Sequence, residues 1–278
     1  MTSSKRLYNI RTPDGLLKNY KPIIMNLVLS EAYSQYKNDI LNILKNFKND
    51  GVVVGHGNRN VVKYFVVDGL KFNFKSFKQH NIINRHVYKY YRKSKSRRSY
   101  EYAQMLLDKG FFTPKPIAFI ENHDFIGVTS SYYVSEQLED VFTLSDALYN
   151  HSFPDRERII NDYTKLIFQL HENGIIFIDN AGGNFLIKKI DGEYRFFLVD
   201  LNRMNFHQEI DINKRLINFE RLTNDQEIIQ IISTEYARLS GQSPEFCYNK
   251  ILDFTKKKAF KRKAKNILKF YKFFFKKR

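Results

Sequence analysis

Three short apolar runs, residues 175–178, 185–187 and 196–199, are joined by tight polar turns, and no other stretch limits the fold of this chain so strongly. Asp191-Gly192 between the second and third runs is a two-residue hairpin signal, because both central positions of such a turn favour positive φ. Asp179 therefore follows one strand, Asn184 opens the next and Asp200 follows the third. Two carboxylates and an amide oxygen at strand ends are the groups a phosphoryl transfer needs. One carboxylate orients an attacking hydroxyl and accepts its proton, while the other, with the amide, holds a metal against the phosphates. Asp-x4-Asn alone is a common pattern, and a polar loop between strands is most often only a turn. The reading needs the other half of a nucleotide site upstream.

That half is present in the right order. Residues 51–54 form a short apolar strand, 55–60 a turn with Gly55 and Gly57, and 61–67 a second strand. Asp68-Gly69 makes another hairpin before a third strand, 70–77, which carries Phe72, Phe74, Phe77, Lys71 and Lys75. A glycine turn between paired strands can approach phosphates closely, although most such turns bind nothing. Residues 99–107 read as a helix closed by Lys109-Gly110. A stronger helical stripe, Ile159, Ile160, Tyr163, Leu166, Ile167 and Leu170, fills residues 155–172 and reads as core without chemistry. Residues 30–47 also show helical spacing and are expected to pack on the preceding strands. Two or three helices should follow residue 205, centred on 228–232 and 246–254.

The segment Leu170-His171-Glu172-Asn173-Gly174-Ile175 resembles the helix end that leads into the catalytic loop of the protein-kinase-like superfamily. Val199-Asp200-Leu201-Asn202-Arg203-Met204 resembles its metal-binding Asp motif. The closer resemblance is to the bacterial lipopolysaccharide kinases that phosphorylate Kdo or heptose sugars, and it spans roughly residues 50–205. Four positions depart from the pattern. Phe177 replaces the catalytic-loop His, Ala181 replaces the protein-kinase Lys, and Leu201-Asn202 replaces Phe-Gly. The missing Lys argues against a protein acceptor.

The resemblance implies an α+β, two-lobed protein-kinase-like fold, with a small β-rich N-lobe holding one key helix and a mostly helical C-lobe. It divides the chain into an N-terminal extension (1–50), N-lobe (51–138), C-lobe (139–255) and a basic amphipathic helix (256–278). It also implies ATP and Mg²⁺. Asp179 would be the catalytic base and Asn184 and Asp200 the metal ligands. Lys75, paired with Glu101, would hold the α- and β-phosphates, with Lys78 the rival if the register is displaced. Gly55 and Gly57 would cover the triphosphate, and backbone groups near Glu136 and Leu138 would hold the adenine edge. Arg203 is a further candidate for neutralising charge. The acceptor would be a Kdo or heptose residue of lipid-A-linked core. A kinase for a protein or small molecule, or an inactive pseudokinase scaffold, are the alternatives.

Charge points to the setting. The formal net charge is +17, yet residues 256–278 hold 12 of the 46 Lys and Arg and no acid, leaving 34 basic against 29 acidic groups elsewhere. Phe260, Ala264, Ile267, Leu268 and Tyr271 recur in that tail at helical spacing, as in a helix lying on an anionic membrane surface. A solvated or core-docked helix is the plainer reading, and nucleic-acid binding is not expected. A second basic run contains Arg92, Lys93 and Arg97 and borders the expected site, where it could grip an anionic glycolipid. No apolar run approaches the roughly 20 residues that cross a bilayer, and the first residues lack a secretory core. The expected location is peripheral, on the cytoplasmic face of the bacterial inner membrane. The single cysteine, Cys247, excludes an internal disulfide and is expected to be buried.

Overall fold

Both Asp-Gly pairs form the hairpins that their composition favours. Asp68 and Gly69 have φ of 49° and 77°, and Asp191 and Gly192 have 52° and 82°, the double positive φ of the turn that matches strand twist. They close the pairs Val67↔Leu70 and Ile190↔Glu193. The computed structural model describes residues 4–8, 23–56, 60–77 and 93–275. Within it the chain divides into two units, Met1–Glu139 and Asp140–Arg278.

The first unit is built on one antiparallel sheet. Its strands are β1 (Ser4–Tyr8), β2 (Ile23–Leu29), β3 (Val52–His56), β4 (Asn60–Val67), β5 (Leu70–Phe77), β6 (Pro116–His123) and β7 (Val128–Glu136). Their order across the sheet is β1-β2-β6-β7-β5-β4-β3. Alternation along the strands sends Leu27, Phe65, Phe72, Phe74, Ala118, Ile120 and Val134 into one core with Ile40 and Phe47. Ile40 belongs to helix α1 (Lys37–Asn46), and Phe47 follows its end. The Phe47 ring meets Phe65 and Tyr132 with centroids 6.0 and 5.3 Å apart. Residues 30–47 thus cover one face of the sheet.

The end of α1 is fastened by a buried cation. Lys63 on β4 donates from Nζ to the carbonyls of Phe47 (2.8 Å), Lys48 (3.2 Å) and Asp50 (2.8 Å). Carbonyls at and just beyond a helix end lack intrahelical donors and need others when buried. Lys63→Met keeps the apolar stem but leaves three acceptors without this donor, so it is expected to cost about 2–4 kcal/mol. Urea unfolding would check this, and a loss below about 0.5 kcal/mol would contradict it.

Helix α2 (Lys95–Asp108) covers the other face, with Tyr100 against Phe119 at 5.5 Å between centroids. It begins earlier than the apolar spacing suggests, because the Ser94 side chain caps it by accepting from the Arg97 N–H at 3.1 Å. Gly110 ends it at φ 80°, and the Phe111 N–H reaches back to the Leu106 carbonyl at 2.9 Å.

The second unit is mainly helical. Helices α3 (Leu144–Tyr149) and α4 (Arg156–Glu172) precede strand β9 (Ile175–Phe177), the hairpin of β10 (Phe185–Ile190) and β11 (Glu193–Leu198), and β12 (Met204–Phe206). The short strand β8 (Phe142–Thr143) pairs with β10, and β12 pairs antiparallel with β9. Gly174 makes the turn from α4 into β9 at φ 73°, and a Cβ there would lie 2.0 Å from the His207 carbonyl oxygen. Only glycine lets these two backbones approach.

Helices α5 (Ile212–Ile217), α6 (Gln226–Ser240) and α7 (Pro244–Phe275) complete the unit. Cys247, Ile251 and Thr255 form the buried stripe of α7. Burial raises the Cys247 thiol to about 11. The division expected at residue 256 is not a break in structure, since α7 continues through it. Only its surroundings change: Phe260 is 73% and Ile267 57% exposed. Among the described residues no helix is long and apolar enough to cross a membrane.

Candidate active site

Asp179 follows β9 in a loop whose geometry is set mostly by buried amides. The side-chain amide of Asn184 donates to the Asp179 carbonyl at 2.8 Å. Asn180 is wholly buried, accepts from the Tyr163 hydroxyl at 2.7 Å and donates to the Asn218 carbonyl at 3.0 Å. Asn218 in turn donates from Nδ2 to the Phe177 carbonyl at 2.8 Å, so the residues on both sides of Ile178-Asp179 are tied to it. The α4 stripe expected to be inert core therefore has a second role, because the Tyr163 hydroxyl fixes the residue next to Asp179. Gly182 lets the loop pass close to α3: a Cβ there would lie 2.6 Å from Ser145 Oγ and 2.9 Å from its backbone nitrogen.

His171 extends this network. Its Nε2 lies 3.1 Å from Asn218 Oδ1, and its Nδ1 lies 2.9 Å from the Tyr236 hydroxyl. Asn218 Oδ1 can only accept, so Nε2 carries the proton and Nδ1 of the neutral ring accepts from Tyr236. Burial pushes the imidazole down to about 4, outweighing the Asn218 hydrogen bond that favours its charge. In the unfolded chain a histidine titrates near 6.5, so between roughly pH 6.5 and 4 the unfolded state binds the extra proton. The stabilisation is complete above about pH 6.5 and is lost as pH falls towards 4, by about 3 kcal/mol in all. His171→Gln should flatten that part of the stability–pH curve relative to the wild type. An unchanged slope in denaturant titrations at pH 7, 6 and 5 would contradict it.

Phe177, in place of the expected His, is fully buried against Phe185 at 5.5 Å between centroids. It packs the loop from beneath and takes no part in polar chemistry. Asp200 lies at the far end of the β10–β11 hairpin with φ 59°. Asp enters the left-handed region more readily than most residues, and Asp68 and Asp191 adopt the same conformation in the hairpin turns. The Val199 N–H donates to the Asn184 carbonyl at 3.0 Å, which brings Asp200 beside Asn184. Asn202 Nδ2 donates to Asp200 Oδ1. An amide oxygen and a carboxylate are hard donors suited to Mg²⁺, which takes one or two protein carboxylates and completes its shell with phosphates and water. No cluster of three His, Cys, Asp or Glu that could hold a metal occurs among the described residues.

Asp179 itself is bound by two arginines. Arg203 and Arg221 each donate from one terminal nitrogen to its Oδ1, at 2.9 and 2.8 Å. Arg203 lies in the segment singled out from sequence, but Arg221 and Asn218 were missed. They lie in the turn after α5, with no motif around them, and only folding brings them to the loop.

In the first unit, Lys75 pairs with Tyr133 across β5–β7, and Tyr133 with Phe119 across β7–β6. Directly paired residues share a face, so Lys75 lies on the face covered by α2. Glu101 does not follow the expected pairing. Its carboxylate accepts from Lys93 Nζ and Arg97 Nε, both at 2.8 Å. The Arg97–Glu101 spacing of four residues on one helix brings these groups together. Burial would raise the Glu101 carboxyl, but the hydrogen bonds from Lys93 and Arg97 outweigh it and hold the group below its usual range. Those two cations are thus engaged within the unit and are not simply offered to an anionic ligand.

The Glu136 N–H is bound to the Lys115 carbonyl at 3.0 Å, and the Leu138 carbonyl accepts from the Gln137 side chain at 2.9 Å. The Leu138 N–H has no acceptor among the described residues. Gly55 pairs with Val62, after a register shift in β3. Gly57, Lys78 and Arg92 lie outside the described residues.

No protein-family model matches the chain, and no curated protein is significantly similar to it. Solved structures are similar. One, described as WaaP in complex with acyl carrier protein, has 17% sequence identity and a TM-score of 0.58, covering 84% of this chain and 98% of its own. Another is the Rio2 kinase–ADP/Mg²⁺–phosphoaspartate complex from Chaetomium thermophilum, with 17% identity and a TM-score of 0.45, covering 79% of this chain and 67% of its own. The chain has a protein-kinase-like fold, with a β-sheet first unit and a largely helical second one.

Proposed function

We propose that this chain is a Mg²⁺-dependent ATP phosphotransferase acting on a hydroxyl of a Kdo or heptose sugar of the lipopolysaccharide inner core. The observation that carries the reading is the loop from Asp179 to Asn184, where a carboxylate is held in place by buried amides beside a hard-oxygen pair. Asp179 orients the acceptor hydroxyl and takes its proton. Asn184 and Asp200 would hold Mg²⁺, which neutralises phosphate charge when bound. Lys75 is assigned to the α- and β-phosphates, and the turn containing Gly55 and Gly57 to covering the triphosphate. The Leu138 N–H and the Glu136 carbonyl are assigned to the adenine edge. Glu101 is assigned to holding Lys93 and Arg97.

The choice of acceptor is supported by the sequence resemblance; the fold shared with the structure described as WaaP in complex with acyl carrier protein supports the kinase-like architecture alone. A working position on the cytoplasmic face of a bacterial inner membrane is supported by the second half of α7. There Lys256, Lys257, Lys261, Arg262, Lys263 and Lys265 surround the exposed Phe260 and Ile267. Each cation near an anionic leaflet contributes on the order of 1 kcal/mol.

The test is turnover of Mg²⁺-ATP with purified Kdo-lipid A, with the lipid product weighed by mass spectrometry. A product heavier by one phosphate supports the reading. ATP bound without lipid product points to another acceptor, and no ATP binding points to a scaffold.

A further inference from the structure

The loop from Ile178 to Asn184 carries no Lys or Arg of its own, yet charge on a transferring phosphoryl group has to be neutralised at the point of transfer. Two guanidiniums meet there from distant parts of the second unit, both on the same oxygen of Asp179. We infer that Arg203 and Arg221 are the clamp for the phosphoryl group in transfer, and that Arg221 is a catalytic residue. This rests on the phosphotransferase reading above.

Three features carry the inference. Both arginines converge on Oδ1, and Oδ2 accepts no hydrogen bond among the described residues, so one oxygen is anchored and the other is left for a hydroxyl proton. Each guanidinium has five N–H donors and uses one on Asp179. The side chains are 45% and 34% exposed, so a ligand can reach the remaining donors. Finally, the charges do not cancel. Glu220 Oε1 lies 4.0 Å from Arg221 Nε but is itself bound by Lys258 at 2.6 Å. The group of Arg203, Arg221, Asp179, Glu220 and Lys258 therefore keeps one positive charge in excess, a seat for an anion.

In the step itself, the acceptor oxygen forms a bond to the γ-phosphorus as the bond to the β–γ bridging oxygen breaks. ADP leaves with that electron pair, and the hydroxyl proton passes to Asp179 Oδ2. The free donors of Arg203 and Arg221 bind the equatorial phosphoryl oxygens, whose charge they offset most when the group is between its two partners. A forked guanidinium suits that planar group better than an ammonium does.

The experiment compares binding of Mg²⁺-ADP to the full chain with and without aluminium fluoride, a mimic of the phosphoryl group in transfer. The wild type should gain about 10-fold or more in affinity from the fluoride. Arg203→Ala and Arg221→Ala should abolish that gain, read in each variant as the ratio of its affinities with and without fluoride, and Arg221→Lys should restore only part of it. Thermal unfolding confirms that each variant is folded, and Arg221→Lys carries the test if Arg221→Ala is not. A gain that survives in both alanine variants, or no gain in a wild type that binds Mg²⁺-ADP, overturns the clamp alone. A wild type that binds no Mg²⁺-ADP overturns the phosphotransferase reading, and the clamp with it.

Discussion

Asp179→Asn is expected to lower phosphoryl transfer about 10²–10⁴-fold while Mg²⁺-ATP binding stays within a few-fold of the wild type. The amide has nearly the same shape as the carboxylate, and its single oxygen can still accept from Arg203 and Arg221, which both donate to Oδ1 in the wild type. The amide nitrogen would then occupy the Oδ2 position. A nitrogen that already carries two protons cannot take a third from a hydroxyl. The loss should therefore appear in kcat, with little change in the KM for ATP, because an interaction made only in the transition state has been removed. Stopped-time assays of the phosphorylated product, beside equilibrium nucleotide binding, would measure both. Transfer within about threefold of the wild type would remove Asp179 from the role of base.

The second large effect is structural and needs no assumption about substrate. Asn218→Ala should lower stability by about 2–4 kcal/mol. Asn218 is 7% exposed and holds two partners through its side chain: it donates to the Phe177 carbonyl and accepts from His171. Alanine leaves a buried carbonyl and a buried imidazole N–H without partners, and each unmet group costs about 1–3 kcal/mol. Because Phe177 and Asn180 flank the Asp179 turn, the damage should also reach the loop. Amide exchange at residues 177–184 is expected to quicken more than exchange in α6. Urea unfolding that shows a loss below about 1 kcal/mol would mean that water or a shift of α5 replaces the amide.

The extent to which sequence revealed this protein follows the distance over which its interactions act. Asp-Gly turns act over two residues, and both hairpins formed where those pairs stand. The helices at 156–172 and 226–240 are driven by spacing along one segment, and they formed as the periodicity predicts. Misreadings came where a side chain had several partners within reach. The kinase resemblance pairs Glu101 with Lys75, whereas Arg97, four residues away on the same helix, reaches it together with Lys93. Tyr163 reads as inert core from sequence, because an apolar stripe does not reveal that one hydroxyl in it bonds Asn180.

The sequence by itself determined the two Asp-Gly hairpins, the positions of Asp179, Asn184 and Asp200 at strand ends, and the separation of a cationic tail from a nearly balanced remainder, but not that residues 4–8 and 23–29 add strands to the first sheet. Those properties depend on local backbone preference, periodicity and charge count. Tertiary structure alone decided what surrounds the Asp179 carboxylate. Arg221 lies 42 residues from it, and Asn218 lies 41 residues from the carbonyl it holds. Neither has a sequence signature, because a hydrogen bond constrains positions in space and not spacing along the chain.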